Sequence, residues 1–341
     1  MHSGNLFTRA VTVRAAAIAA SIRSSQKTSE VSPGADRNEE KLLTASAAMR
    51  SFSPVVWVSA LRAHQWAKNA LVFVPLLTSH QFSRANCFSA ALAFAAFSLC
   101  ASAVYLLNDI VDIEADQAHP TKRFRAVASG DLPAGTAAMA IPFLLLLALT
   151  AALAVSAAFA GALTAYFLLT SAYTFRLKQL VIVDIVVLAS LYTARIVAGA
   201  VAINVPLSEW LLIFSIFIFT SLALIKRYAE LSIRREALLP DAANRDYGVS
   251  DMQIVAALAA ASGLNAITII CLYLSSPAVR ELYHKPMLLW LLVPLLIHWI
   301  SRALMLAHRG QMNHDPIVFA FRDGPSRIAT LLMVITVLAA I

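Results

Sequence analysis

From Val55 to the C-terminus the sequence is a succession of span-length apolar runs separated by short polar connections, and nothing constrains its fold more. About 20 mainly apolar residues in a helix cross the hydrocarbon core of a bilayer, and a helix satisfies its own backbone polar groups there. The spacing predicts an all-α polytopic membrane bundle of nine transmembrane helices, at roughly 68–82, 85–109, 134–154, 157–175, 181–203, 208–228, 251–274, 286–307 and 326–341. The composition agrees: 60% of the 341 residues are apolar, only 13% are charged, and the mean hydropathy is +0.73. A water-soluble core does not account for such a chain.

The formal charge of +8 does not point to nucleic acid, because Lys and Arg flank the apolar runs and form no basic stripe with exposed aromatics. They orient the bundle instead. Lys122, Arg123, Arg125, Arg176, Lys178, Lys226, Arg227, Arg234, Arg235, Arg245, Arg302, Arg309, Arg322 and Arg327 fall after even-numbered spans, against Arg84, Arg280 and Lys285 on the opposite side. The positive-inside rule then puts the polar connections, and any site on them, on the cytoplasmic face of a bacterial inner membrane. Cys87, Cys100 and Cys271 are far apart and lack a nearby His, which excludes a disulfide framework or zinc site and leaves them as helix-packing residues.

Residues 1–50 differ from the rest. They are rich in Ser, Ala and Arg, have no acid before Glu30, and contain the breaker Ser32-Pro33-Gly34. This segment reads as a mobile or targeting-like tail, with a start at Met49 as a third reading, ahead of a transmembrane domain over 51–341.

One polar stretch, Tyr105 to Gly130, interrupts the apolar pattern most sharply. If the helix through Asn108 continues to Asp116, about 100° per residue brings Asp109, Asp112 and Asp116 within about 60° of one another and turns Glu114 away. Three carboxylates on one face repel unless a cation lies between them. Mg²⁺ suits such a set, since it takes one or two carboxylates and completes its shell with water and substrate phosphate. Lys122, Arg123 and Arg125 follow at once as donors for an anionic phosphate. The bland alternative is a solvated charged loop.

A second polar cluster, Tyr173 to Asp184, falls on the same side between the fourth and fifth spans. Asp184 enters an apolar helix, where a carboxylate needs a cation: either a substrate or metal, or a structural pair with Arg176 or Lys178. Arg195 follows on nearly the same face, about 16 Å further along the axis, and serves either substrate or backbone carbonyls inside the bundle. The third connection, Lys226 to Gly248, pairs Lys226 with Glu230 by spacing and forms either a solvated helical cap or a lid. No Gly-rich nucleotide loop, nucleophile elbow or His metal motif occurs.

With these residues in view, Asn108-Asp-x-x-Asp-x-x-x-Asp116, continuing into His119-Pro-x-Lys-Arg-x-Arg125 and Ala128-Ser-Gly130, resembles the first signature of the UbiA superfamily of intramembrane prenyltransferases. Leu61-Arg-x-His-Gln-Trp-x-Lys-Asn69, Tyr173-x-x-Arg-Leu-Lys178 and Leu222-Ala-Leu-x-Lys-Arg-Tyr-Ala-Glu-Leu231 are similar to its decaprenyl-phosphate phosphoribosyltransferase branch. The resemblance runs from about Ser53 to the C-terminus. It implies nine helices around a cavity open to the cytoplasm, and Mg²⁺-dependent transfer of 5-phosphoribose from phosphoribosyl diphosphate to a polyprenyl phosphate. Such lipids are precursors of arabinofuranosyl donors for cell-wall arabinan or for arabinosylated nodulation signals. Asn108, Asp109, Asp112 and Asp116 would hold the metal, with Asp184 as a further catalytic acid. Lys68, Asn69, Lys122, Arg123, Arg125, Tyr173, Arg176, Lys178 and Arg195 would meet substrate, although Lys68 also reads as an interfacial lysine.

Three departures stand out. Ala63 and Ala126 replace prolines common in the pattern, and Leu188 stands four residues after Asp184 where enzymes acting on prenyl diphosphates tend to carry a second acid. Two other functions compete: a prenyltransferase alkylating an aromatic acceptor such as 4-hydroxybenzoate, and a transporter in which Asp184 and Arg195 mark a path. Against the transporter, the two halves show no clear repeat and the acids cluster at a helix end.

Overall fold

The computed structural model describes residues 53–118, 121–236, 246–312, 319 and 323–341. The tail expected at 1–50 therefore lies outside the described residues, as does 237–245 of the third connection. Pro54–Ile341 forms one compact unit, and among the described residues every regular element is helical.

The chain begins with α1 (Pro54–Ala60), a 3₁₀ segment (Ala63–Phe73) and α2 (Val74–Thr78). Then follow α3 (Arg84–Val111), α4 (Ile113–Gln117), α5 (Ala134–Val155), α6 (Ala157–Phe175), α7 (Val183–Ala202) and α8 (Glu209–Glu236). The last are α9 (Met252–Ser275), α10 (Pro277–Leu282), α11 (Leu292–His308) and α12 (Gly324–Ala340). Ser83 and Ser156 start α3 and α6 by accepting hydrogen bonds from Asn86 N (3.1 Å) and Phe159 N (3.0 Å), the side-chain caps that exposed helix N–H groups require.

Among the described residues, 7 helices are long and apolar enough to cross a membrane, and Gly324–Ala340 is a shorter apolar helix. The span expected at 68–82 is not a membrane-length helix. Its apolar content is real, but Arg62 enters it with a left-handed backbone (φ 51°) and the following turns are 3₁₀. Irregular backbone is tolerated at membrane depth when protein buries it, and this segment is held closely by α7. A Cβ on Gly199 would lie 2.2 Å from the carbonyl oxygen of Val72, so only glycine permits the crossing.

α7 organises the rest. Ile185, Ala189 and Ile196 join a core with Phe219, Leu222 and Ile225 of α8, Ala259 of α9 and Ala303 of α11. Val187, Leu191 and Ala198 join another with Phe97 and Cys100 of α3 and Phe159 and Tyr166 of α6. Small residues let α3 take part: Ala90, Ala93, Ala96 and Ala103 have no exposed surface, which allows close backbone approach where lipid offers no hydrophobic drive for association. α3 and α7 are 61% buried over their apolar windows against 17% for α5, so they form the inside of the bundle and α5 an outer, lipid-facing wall.

Candidate functional site

The ends of α3, α6, α7 and α8 meet on one side of the bundle. α3 does not run unbroken through the acidic motif: it stops at Val111, Asp112 takes φ −100° and ψ 14°, and α4 resumes at Ile113. The helical path is nearly kept, with Asp116 N bonded to Asp112 O at 2.8 Å, but the three carboxylates do not converge. Asp109 and Asp116, each 2% exposed, share one guanidinium: Arg125 Nη1 lies 3.4 Å from Asp109 Oδ1 and 2.5 Å from Asp116 Oδ2. Asp112 turns instead to Lys178, whose Nζ is 3.4 Å from Oδ2. This corrects the single-face triad, and its cause is the helix break at Asp112. Glu114 is exposed, as its spacing requires.

Arg62 forms a second ion pair with Asp109 and stacks over the Tyr105 ring at 4.9 Å. Its role was missed because the motif Leu61 to Asn69 reads as an interfacial flank. The available signal was a lone arginine one turn before buried, small and aromatic residues. Asn108, which precedes this cluster, keeps a buried Oδ1 with no hydrogen-bond partner. A buried acceptor left unpaired is costly and asks for a donor or cation. Lys122 and Arg123 stand exposed in the 3₁₀ turn Lys122–Phe124, with Arg123 4.8 Å from the centre of the exposed Phe124 ring.

The second cluster is closed. Asp184 has no exposed surface. Its partner is neither Arg176 nor Lys178, as sequence proximity suggests, but Arg227 of α8, whose Nη2 lies 2.5 Å from Oδ2. Tyr247 Oη donates to the other carboxylate oxygen at 2.7 Å and accepts from Ile182 N at 2.7 Å. Burial, reinforced by the bond to Asp184, holds the Tyr247 phenol well above its ordinary pKa. Arg227 also pairs with Glu230, the acid that spacing assigns to Lys226. Arg176 is exposed at the end of α6, and Tyr173, one turn earlier, is half-buried. Arg227 and Tyr247 were not foreseen; the usable signal was an arginine among residues that are buried nearly all round α8.

Arg195 lies away from both clusters. It is 6% exposed and donates to Asn69 Oδ1 (2.9 Å), Leu191 O (2.6 Å) and Tyr166 Oη (2.7 Å). Asn69 in turn donates to Ser98 Oγ at 3.1 Å. These bonds tie the 3₁₀ segment to α3, α6 and α7, so Arg195 and Asn69 hold the broken segment in place. Lys68 sits beside them, its Nζ 6.0 Å from the centre of the Tyr192 ring that Arg195 also faces.

The donors near α4 suit a hard cation. Asp109, Asp112, Asp116 and the unpaired Asn108 oxygen are all oxygen ligands of the kind Mg²⁺ takes. Among the described residues no three acidic, His or Cys side chains are grouped so as to hold a metal ion by themselves.

The chain is similar to several known proteins. The chain is 39% identical to the decaprenyl-phosphate phosphoribosyltransferase of Mycobacterium tuberculosis over 52% of its own length and 60% of that protein. It is 34% identical to nodulation protein NoeC of Azorhizobium caulinodans, covering 81% of this chain and 90% of NoeC. For several curated relatives it spans less than two thirds of their length, 57% in one and 54% in another. The fold matches a UbiA homolog from Archaeoglobus fulgidus bound to GPP and Mg²⁺, with a TM-score of 0.63 at 13% identity over 84% of this chain and 99% of that one. Residues 51–323 match the UbiA prenyltransferase family, and the chain belongs to that family.

Proposed function

We propose that this protein transfers 5-phosphoribose from phosphoribosyl diphosphate to a polyprenyl phosphate in a bacterial inner membrane, with its site facing the cytoplasm. The observation that carries the reading is Arg125 shared between Asp109 and Asp116 beside the unpaired oxygen of Asn108. Such a cluster is rich in acids for a cation and rich in cations for a diphosphate, and its cations sit on turns. The similarity to the phosphoribosyltransferase of M. tuberculosis and to NoeC supports the donor and acceptor classes. The same reading makes the product a precursor of arabinofuranosyl donors, for arabinan or nodulation signals.

In this reaction the C1–O bond to diphosphate breaks as an oxygen of the lipid phosphate bonds to C1. The acceptor is already an anion at neutral pH and needs no general base. Bound Mg²⁺ supplies neutralisation of the charge growing on the departing diphosphate. Asn108, Asp109 and Asp116 would hold it, and Asp112, turned to Lys178, stands beside them. Arg62, Arg125 and Lys178, paired with those acids here, would then donate to phosphate oxygens. Lys122 and Arg123, exposed at the rim, would receive the 5-phosphate, and Lys68 the lipid phosphate. Asp184 acts at one remove, by fixing Arg227 and the turn before α7.

Membranes containing the protein should move label from phosphoribosyl diphosphate into the lipid phase when polyprenyl phosphate is present, and EDTA should stop the transfer. The fold shared with a structure solved with GPP and Mg²⁺ keeps a second reading in play. If label stays in water while a prenyl diphosphate alkylates 4-hydroxybenzoate, that reading replaces the first.

A further inference from the structure

Ile182 is the most strained residue beside the site. Its φ of 64° and ψ of −40°, with Val183 N bonded to Val181 O at 2.7 Å, make a γ-turn of the rare hand. Glycine accepts positive φ readily, whereas a β-branched side chain there is an outlier that its surroundings must impose. Packing of Ile182 itself does not impose it, because the side chain is 43% exposed. The Ile182 N–H instead donates a hydrogen bond to Tyr247 Oη, and Tyr247 is 4% exposed. That hydroxyl is itself oriented by Asp184, and the Tyr247 ring lies 5.1 Å from the Arg227 guanidinium.

The turn carries chemistry. Lys178, whose Nζ faces Asp112, lies in the 3₁₀ turn Leu177–Gln179, directly before residues 180–183. Asp184 N closes back on Leu180 O at 3.1 Å, so residues 180–184 form one hydrogen-bonded turn. We propose that Tyr247 is a positioning residue: its hydroxyl holds the strained turn at Ile182 and thereby sets Lys178 against the acidic cluster. The proposal rests, for what Lys178 meets, on the phosphoribosyl diphosphate reading above. It gives Tyr247, in the chain entering α9, a part in the site.

Two variants separate this role from general packing. Tyr247→Phe keeps the ring but removes the hydroxyl, and Ile182→Gly removes the reason the turn needs support. Tyr247→Phe should speed amide hydrogen exchange over residues 177–184 about tenfold and raise the KM for phosphoribosyl diphosphate by about the same factor, with kcat within about twofold. Ile182→Gly alone should bind donor like the wild type. The double variant should recover a KM within about threefold of wild type, because glycine holds the positive φ unaided. Wild-type exchange in Tyr247→Phe overturns the proposal whatever the donor proves to be. A double variant no better than Tyr247→Phe overturns it too, since the hydroxyl would then act on the donor or on Asp184 directly. Failure of the donor itself would show separately, as absent transfer by the wild type with the exchange result intact.

Discussion

Asp109 and Asp184 are almost equally buried, at 2% and 0% exposure, and lie at the same end of the bundle, yet their surroundings differ. Asp184 has a cation on a core helix, Arg227, and a tyrosine hydroxyl on its other oxygen. Releasing that arginine would mean taking apart the core around α8. Asp109 shares Arg125 with Asp116 and draws Arg62 from a residue in left-handed conformation at the start of a 3₁₀ segment. Those cations sit on turns, and Asn108 beside them has an oxygen still unpaired. Burial therefore does not separate a binding acid from a structural one. What separates them is whether the counter-charge is built into the core or borne on a segment that can exchange partners.

The comparison breaks first on catalysis. Replacing Asp109 by Asn should remove a ligand and lower the transfer rate on the order of a thousandfold, about 4 kcal/mol of transition-state stabilisation. Glu114→Gln removes the same charge from the exposed side of α4 and should stay within about twofold of wild type. Each variant needs a matched yield of folded protein in the membrane, because losing a buried acid also frees Arg62. Similar losses in the two would show a diffuse acidic surface rather than a defined site.

Asp184→Asn should have the opposite signature. It leaves Arg227 buried at 4% exposure with only Glu230 as a charged partner among the contacts described, and removing one partner of a buried ion pair costs about 3 kcal/mol. The melting temperature should fall clearly while the affinity of the folded protein for Mg²⁺, measured calorimetrically, stays near wild type. An unchanged melting temperature with Mg²⁺ affinity reduced tenfold would exchange the roles assigned to the two regions.

These differences also mark what the sequence can tell. The long spans were legible because crossing a bilayer fixes both length and polarity: the expected 85–109 is Arg84–Val111, and 134–154 is Ala134–Val155. The segment at 68–82 was not, since Leu71 to Leu77 has the apolarity of a span while its shape is set by Gly199, far along the chain. Periodicity found the acidic motif, but an ideal 100° step cannot foresee the break at Asp112. Charge pairing was the least legible. Near neighbours suggested Arg176 or Lys178 for Asp184, whereas tertiary packing delivers an arginine from α8. Arg195 was half readable: the backbone acceptor was foreseen and is Leu191 O, but Asn69 and Tyr166 required the fold.

Asp323 gives the comparison its smallest and sharpest test, because its counter-charge is anchored on a helix at the protein's edge. Arg302 of α11 donates to both its oxygens at 2.9 Å, and Asp323 also caps α12 by accepting from Ser326 N at 2.9 Å. The Arg302 hydrogen bonds, opposed by partial burial and helped by Ser326, hold this carboxyl well below the usual range. A carboxyl with a depressed folded-state pKa stabilises above its unfolded value, and that contribution fades as pH falls through the carboxylate range. Asp323→Asn keeps the capping oxygen but removes the charge and the second acceptor that Arg302 uses, so it should cost about 1 kcal/mol at neutral pH. The gap between wild type and variant should then narrow as the pH is lowered from about 5 to about 3. Thermal unfolding in detergent across that range reads it directly. Parallel curves for the two proteins would mean that a fixed bidentate arginine gives an acid no structural worth here, and the distinction drawn between Asp109 and Asp184 would have to rest on something other than where their counter-charges are anchored.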